Sequence, residues 1–562
     1  MPDPIGKPSA RPTTLNADPF VRDFEPDIGE NGEVSVLTTT APGVTPTGIS
    51  ANTDDPNHAR PGRVRFQQDA FEKLPGLKGL LGQSVRVDME LRSDGSLVLD
   101  RGSPYLAATT TFVAAASAKA IAERNLGVTL PWGQDGLMPL SNYEVDSWDL
   151  NAYYAPNERQ IKLANAVRPG VRFFDGEVDA KFDPKNTAYN LANVPEVVAH
   201  ECGHALLDTL KPGTLLGYSD KQQALHSIDE GLADGMAFFV DLGRAEVVQR
   251  ALEACNYDLT KNNPLASIGD SIGGMFDSDL YAKPDLNKAL RTLRNDMRVE
   301  PGVKYECHKG GQIISGALYD FFLERAGSYG KTLKPKEAAF AAGEATAAVF
   351  QNALKFTPDD GGMSFQDFGR GLLYADLALN KGRNLDALRK VVVDRNLLSD
   401  TEVDAALAQH AGWQQTTLPV PGDKDLAAAE QLLPKLRESF QLGDATLIPG
   451  RCEKDARGFT RVVYFQPRAN KAAEATNAGI ERTYGRIARD SLLSQGSFSV
   501  VLDRQGRVAG AFNHIGSGAS VCIDGIRGDG QPKREGDPDA MITPSGAKSV
   551  FHQDSFNHLV PR

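Results

Sequence analysis

The sequence predicts an α+β protein in which a strand-rich stretch precedes a long helical region and a small mixed segment. Three observations carry this expectation. In "VRVDMELRSDGSLVLD", Val85, Val87, Met89 and Leu91 alternate with Arg86, Asp88, Glu90 and Arg92. That is the period of a half-buried strand, and "SDGS" supplies the turn to the next one. From about residue 193 the apolar spacing becomes helical, with candidate helices at 194–210, 222–241, 308–326, 336–355 and 364–380 and shorter ones to about 412. Strand character returns in "TRVVYF" and in "SFSVVLDRQGRVAGAF" (497–512), which reads as a hairpin.

Taken in order, residues 1–60 are rich in Pro, Thr, Asp and Gly without periodicity and read as an extended or disordered arm. A β-rich lobe is expected over 61–192. It holds the alternating strands, an Ala-rich helix at 109–127 ended by Gly127, and "NAYYAPNERQIKL" (151–163), two short strands around a Pro-Asn turn. The helical lobe is placed at 193–415, and "TTLPVPGDK" (416–424) reads as a linker. A small α/β domain is expected over 425–540, with helices near 425–440 and 468–491, and 541–562 form a tail.

Composition bounds the function. The net charge of −12 argues against a general nucleic-acid binder, which presents a basic face. No run of eighteen apolar residues occurs, so no membrane span is expected. The N-terminus shows no apolar core of a Sec-type signal peptide, which predicts a cytoplasmic protein or export by another route. Five cysteines in 562 residues do not make a disulfide scaffold, although Cys452 and Cys522 share one region and could pair. Nothing in the sequence speaks to oligomeric state.

The chemistry concentrates in "VPEVVAHECGHALLD" (194–208). His200, Glu201 and His204 form H-E-x-x-H. On a helix, positions four apart share a face, so both imidazoles can reach one zinc ion. Glu201 projects beside the pair, where it can act as general base for a water held at the metal. A catalytic zinc takes three protein ligands and leaves a position for water. "HSIDEGLADGMAFF" (226–239) offers the third in Glu230. Asp234, four residues on, can accept the second ring N–H of a zinc-bound histidine. His226 lies on the same face and reads as a solvated or capping residue. The plain alternative is a buried helix whose histidines are merely hydrogen-bonded.

H-E-x-x-H followed by E-G-x-x-D resembles the gluzincins, the thermolysin-like zinc peptidases. The 25 residues between His204 and Glu230, and the glycine after the glutamate, are most similar to the fungalysin pattern. "HKGGQIISGALYDFF" (308–322) is similar to a further fungalysin helix, with His308, Gly311, Leu318, Tyr319 and Asp320 in its positions. "NAYY" (151–154) resembles the edge strand that pairs with substrate in thermolysin-like enzymes, and "SFQDFGRGLLYADLALNKG" (364–382) resembles their C-terminal helical part. The likeness spans roughly 85–412.

This resemblance implies a two-lobe peptidase, β-rich then mainly α-helical, with the small α/β domain appended. It implies one catalytic zinc on His200, His204 and Glu230, with Glu201 as base and His308 stabilising the oxyanion. It implies Asn151, Ala152 and Tyr153 as the substrate edge for a peptide or protein. Two departures stand out. Cys202 inside the motif is unexpected and is predicted to pack away from the metal as a small apolar group. Tyr218 is the only tyrosine between His204 and Glu230, at an unusual spacing. The third histidine of the metzincins and the G-x-M-E-N exopeptidase signature are both absent, which favours an endopeptidase. The rival from another class is a catalytically silent, zinc-stabilised peptide-binding protein on the same scaffold, with 425–525 doing the recognition.

Overall fold

A computed structural model describes residues 106–132, 140–145, 152–156, 158–166, 191–215, 217–218, 223–269, 289–467, 494–516 and 522–523, with five short strands before residue 100. It is a mixed α/β protein with ten α-helices among the described residues and small, mostly antiparallel sheets. Strands β1 (Asp27–Ile28), β2 (Val34–Ser35), β3 (Val64–Gln67), β4 (Glu90–Leu91) and β5 (Ser96–Leu99) form one sheet in the order β1-β2-β3-β5-β4. Glu90 pairs with Val98 and Leu91 with Leu97, antiparallel.

Helix α1 (Leu106–Leu126) stops at Gly127, whose φ of 65° is the left-handed position that ends helices without a Cβ penalty. Strands β6 (Leu140–Val145), β7 (Ala152–Ala155) and β8 (Gln160–Ala166) form a sheet in the order β6-β8-β7, so β7 is an edge. The β7–β8 hairpin is antiparallel, with Ala152 opposite Leu163.

The helical body then assembles. Helix α2 (Pro195–Leu210) begins with proline in its first turn, where the missing N–H costs nothing, and Glu196 beside it favours the positive end of the helix dipole. Helix α3 (Gln223–Leu242) is buried on almost every side. Helix α4 (Ala245–Ala254) was not foreseen in the sequence; it is short, and its apolar side (Val247, Val248, Ala251) packs into the core. The two-residue strands β9 (Gly217–Tyr218), β10 (Ser267–Ile268) and β11 (Arg291–Thr292) follow or interleave in the loops. Helix α5 (Cys307–Tyr329) is capped by Glu306, whose carboxylate accepts from Lys309 N–H. Helices α6 (Pro335–Ala353), α7 (Phe365–Asn380), α8 (Leu385–Asp394) and α9 (Asp400–Trp413) complete the body. Ser364 and Ser399 start α7 and α9 with reciprocal capping boxes.

Helix α10 (Leu426–Phe440) lies against a four-stranded antiparallel sheet of β12 (Ile448–Lys454), β13 (Thr460–Pro467), β14 (Ser494–Leu502) and β15 (Val508–Asn513), in that order. The last described strand, β16 (Cys522–Ile523), returns to pair with β9. The stretch 416–424, expected to be a linker, is packed instead. Leu418 is buried, its N–H bonds Gly506 O at 2.9 Å, and Lys424 N–H bonds Cys452 O at 2.8 Å. The expected helix at 468–491 lies outside the described residues. Cys452 is a free buried thiol that donates to Gly422 O at 3.1 Å. Among the described residues no helix is long and apolar enough to cross a membrane.

Candidate metal centre

Three helices bring the site together, and small residues set their spacing. Gly203, between the two motif histidines, sits so close to α3 that a Cβ there would collide with the Ala233 backbone. A Cβ on Gly311 of α5 would lie 2.6 Å from Glu230 Cβ, and one on Gly231 would lie 2.5 Å from Gly311 O. These crossings accept hydrogen and nothing larger, which is why the imidazoles of α2, the Glu230 carboxylate of α3 and the His308 ring of α5 can share one pocket.

The distances follow. His200 Nε2 and His204 Nε2 are 3.2 Å apart. Glu230 places Oε2 3.4 Å from His200 Nε2 and Oε1 3.7 Å from His204 Nε2. His308 Nε2 is 3.3 Å from the same Oε1. Each ring is held from behind. Asp234 Oδ1 lies 3.0 Å from His200 Nδ1, and Asp229 Oδ2 lies 2.8 Å from His204 Nδ1. Glu306 Oε1 lies 2.5 Å from His308 Nδ1. The carboxylates behind His200 and His204 fix the tautomer with Nδ1 protonated and turn Nε2 into the pocket, and Glu306 orients the His308 ring from behind.

Arg291, from β11, grips Asp234 through Nε at 3.1 Å to each carboxylate oxygen and through Nη2 at 2.8 Å. The same Nη2 is 3.3 Å from His200 Nδ1. Burial alone would raise the Asp234 carboxyl, but Arg291 and His200 outweigh it and hold it below the usual range. Glu230 is likewise held well below its usual range, with His308, His200 and His204 overcoming burial. Glu201 goes the other way: burial pushes its carboxyl up, and the two imidazoles offset that only in part. The Tyr154 N–H on β7 donates to the Glu201 carboxylate, while Glu201 Oε2 has no hydrogen-bond partner.

The donor set fits a metal. Two imidazole nitrogens and a carboxylate are the ligand types of zinc. Glu201 Oε2 and Glu230 Oε2 are buried without hydrogen-bond partners, a costly state that a bound cation and its water would relieve. His200, Glu201 and His204 form one group of closely spaced donor atoms, and Glu230, Cys307 and His308 a second that shares the pocket through Glu230.

Of the residues singled out in the sequence, His200, Glu201, His204, Glu230, Asp234 and His308 converge here. Ala152 and Tyr153 lie on β7, beside α2, and Tyr153 is partly exposed with the Lys162 ammonium 5.8 Å above its ring. Asn151 and the side chain of Tyr218 lie outside the described set. Cys202 is fully buried in the main core, its thiol pushed up by burial. His226 is buried, at 4% exposure, rather than solvated. Sequence reasoning missed Asp229, Arg291 and Glu306. Asp229 directly precedes Glu230, outside the four-residue helical spacing that marks Asp234. Glu306 was readable as a helix cap two residues before His308, whereas Arg291 sits in a stretch with no pattern.

Neither a scan of protein-family models nor a search of curated proteins returns a match to this chain.

Proposed function

We propose that this protein is a zinc-dependent peptidase acting on internal peptide bonds of peptides or proteins, in the two-lobe manner of the thermolysin-like enzymes. One observation carries the reading. His200, His204 and Glu230 present their ligand atoms within 3.7 Å of one another, with an unpartnered Glu201 oxygen buried alongside.

His200, His204 and Glu230 would hold the ion. Zinc supplies Lewis-acid polarisation and lowers the pKa of water. Glu201 takes a proton from the attacking water and returns it to the leaving amine, and burial, by raising its carboxyl, makes it a better base for this task. His308, its ring held by Glu306, would stabilise the negative charge that develops on the oxygen of the scissile carbonyl. Substrate would lie along β7 as an added strand. Because the Tyr154 N–H points at Glu201 and residues two apart share a direction, the Ala152 backbone also faces away from β8. An extended peptide hydrogen-bonded to Ala152 would thus pass beside the general base, with Asn151 and Tyr153 flanking it.

The test is Glu201→Gln. The variant is expected to keep zinc, measured by elemental analysis, and to lose chelator-sensitive casein cleavage. Unchanged cleavage would remove Glu201 as the base. Zinc with no cleavage in the unmodified chain would favour the silent zinc-stabilised binding protein.

A further inference from the structure

The C-terminal sheet reaches back to the metal-site helix. Arg451 on β12 and Arg461 on β13 both point at the end of α2. Arg451 Nη1 donates to Leu210 O at 2.6 Å, and Arg461 Nη1 to the same oxygen at 3.4 Å. Leu210 is the last residue of α2, six positions beyond His204. The final carbonyls of a helix lack helical donors and carry the negative end of its dipole. Two guanidiniums supply what the helix cannot.

Their counter-ion is Asp359, in the loop after α6. Arg451 binds one of its carboxylate oxygens and Arg461 the other. Lys211, which caps α2, donates from Nζ to Thr357 O at 3.0 Å and Pro358 O at 2.7 Å. The side chains of Lys211, Asp359, Arg451 and Arg461 are each at most 5% exposed. Burying charges this deeply is expensive, and apolar residues would join two surfaces at less cost. A guanidinium fork adds direction: it fixes where the acceptor sits.

The same hairpin holds a second helix end. At its turn Ala456 N–H donates to Gly127 O at 2.7 Å, and Arg457 donates to the carbonyls of Arg124 and Asn125. Thus β12–β13 clamps the C-terminal ends of α1 and α2, which share one core. Among the described residues both faces of the sheet are packed. Val462, Tyr464, Phe498 and Val500 pack under α10, while Val501, Ala509 and Phe512 belong to the main core.

We propose that Arg451 and Arg461 are positioning residues for the metal site, and that the C-terminal sheet sets the placement of His200, Glu201 and His204 through the end of α2. The proposal rests on the metal-centre reading above.

The experiment uses the full chain, with Arg451→Met and Arg461→Met singly and together. Zinc affinity is read by chelator competition, and the visible spectrum of the cobalt-substituted protein reports ligand geometry without reference to activity. The double variant should bind zinc on the order of tenfold more weakly and show a shifted cobalt spectrum. Tyr464→Phe, which removes a bond to Ala429 O on the far face of the sheet, should change neither. If the Met variants do not fold, Arg451→Lys and Arg461→Lys keep the charge and lose the fork, and the same readouts apply. Wild-type affinity and spectrum in folded variants would overturn the proposal alone. An unmodified chain that takes up no zinc would overturn the metal reading and the proposal with it.

Discussion

Asp229 and Asp234 each back a histidine proposed as a zinc ligand, yet their surroundings give them unequal weight. Asp229→Ala removes the acceptor 2.8 Å from His204 Nδ1 and with it the hydrogen bond that orients the ring. A hydrogen bond of this kind contributes about 0.5–1.5 kcal/mol net. At about 1.4 kcal/mol per decade this corresponds to a loss in zinc affinity of up to roughly tenfold, at the lower end of the 10–100-fold range for such partners. Asp234→Ala does more. It frees His200 Nδ1, and it strips the counter-ion from Arg291, whose side chain is only 8% exposed and whose Nη2 lies 3.3 Å from that nitrogen. An uncompensated buried cation beside a ligand opposes a second cation, so the loss should reach about 100-fold. Removing the stranded charge with Asp234→Ala/Arg291→Met should recover part of it. The assay is competition with a chromogenic chelator at fixed pH, with circular dichroism to confirm folding. Equal zinc dissociation constants for wild type and Asp234→Ala, or a larger loss in Asp229→Ala, would refute the reasoning.

Further expectations follow from the same geometry. Gly203→Ala drives a methyl into the Ala233 backbone, so the protein should lose about 1–3 kcal/mol and bind less zinc; unchanged thermal stability and zinc content would show that the helix crossing is not tight. His308→Ala should keep zinc and lower kcat by about 10²–10³, the scale of a lost oxyanion donor; retention of most of the wild-type kcat would remove His308 from that role. Asp208 is raised from 3.8 to about 6, chiefly by burial, despite accepting from Tyr154 OH at 2.9 Å. The folded state therefore holds this proton more tightly than the unfolded chain does. The stabilisation is complete below pH 3.8 and is lost as pH rises through about 6. Asp208→Asn should then unfold at a higher temperature than wild type near neutral pH, by up to about 3 kcal/mol of stability, with the gain shrinking toward acid pH. A gain in thermal melts that does not vary with pH would contradict this.

Much of the site was legible because its residues lie on regular helices. His200 and His204 needed only the helical repeat to share a face, and Glu230 with Asp234 needed only a second helix of the same period. Strand patterns likewise located β4–β5, β7–β8, β13 and β14–β15, whereas β6 and β12 were not foreseen. What escaped was what depends on contacts between distant elements. Helix α4 is only ten residues long, too short for its Val247, Val248, Ala251 and Leu252 face to repeat over several turns. The stretch 416–424 reads as a linker because two prolines and a glycine interrupt it, yet Leu418 and the Gly506 carbonyl draw it into the fold.

The sequence by itself determined which atoms are available to a metal, since ligand type and helical spacing are local properties of the chain. Only the tertiary structure decided what supports them. Arg291 behind Asp234, Asp229 behind His204 and the two arginines at the end of α2 are joined to the site across as many as 251 positions, the separation of Arg461 from Leu210. Such pairings arise when packed helices and sheets bring side chains together, and no local pattern records them. The same packing joins the C-terminal segment, which reads in sequence as a separate appendage, to the end of the helix that carries His200 and His204.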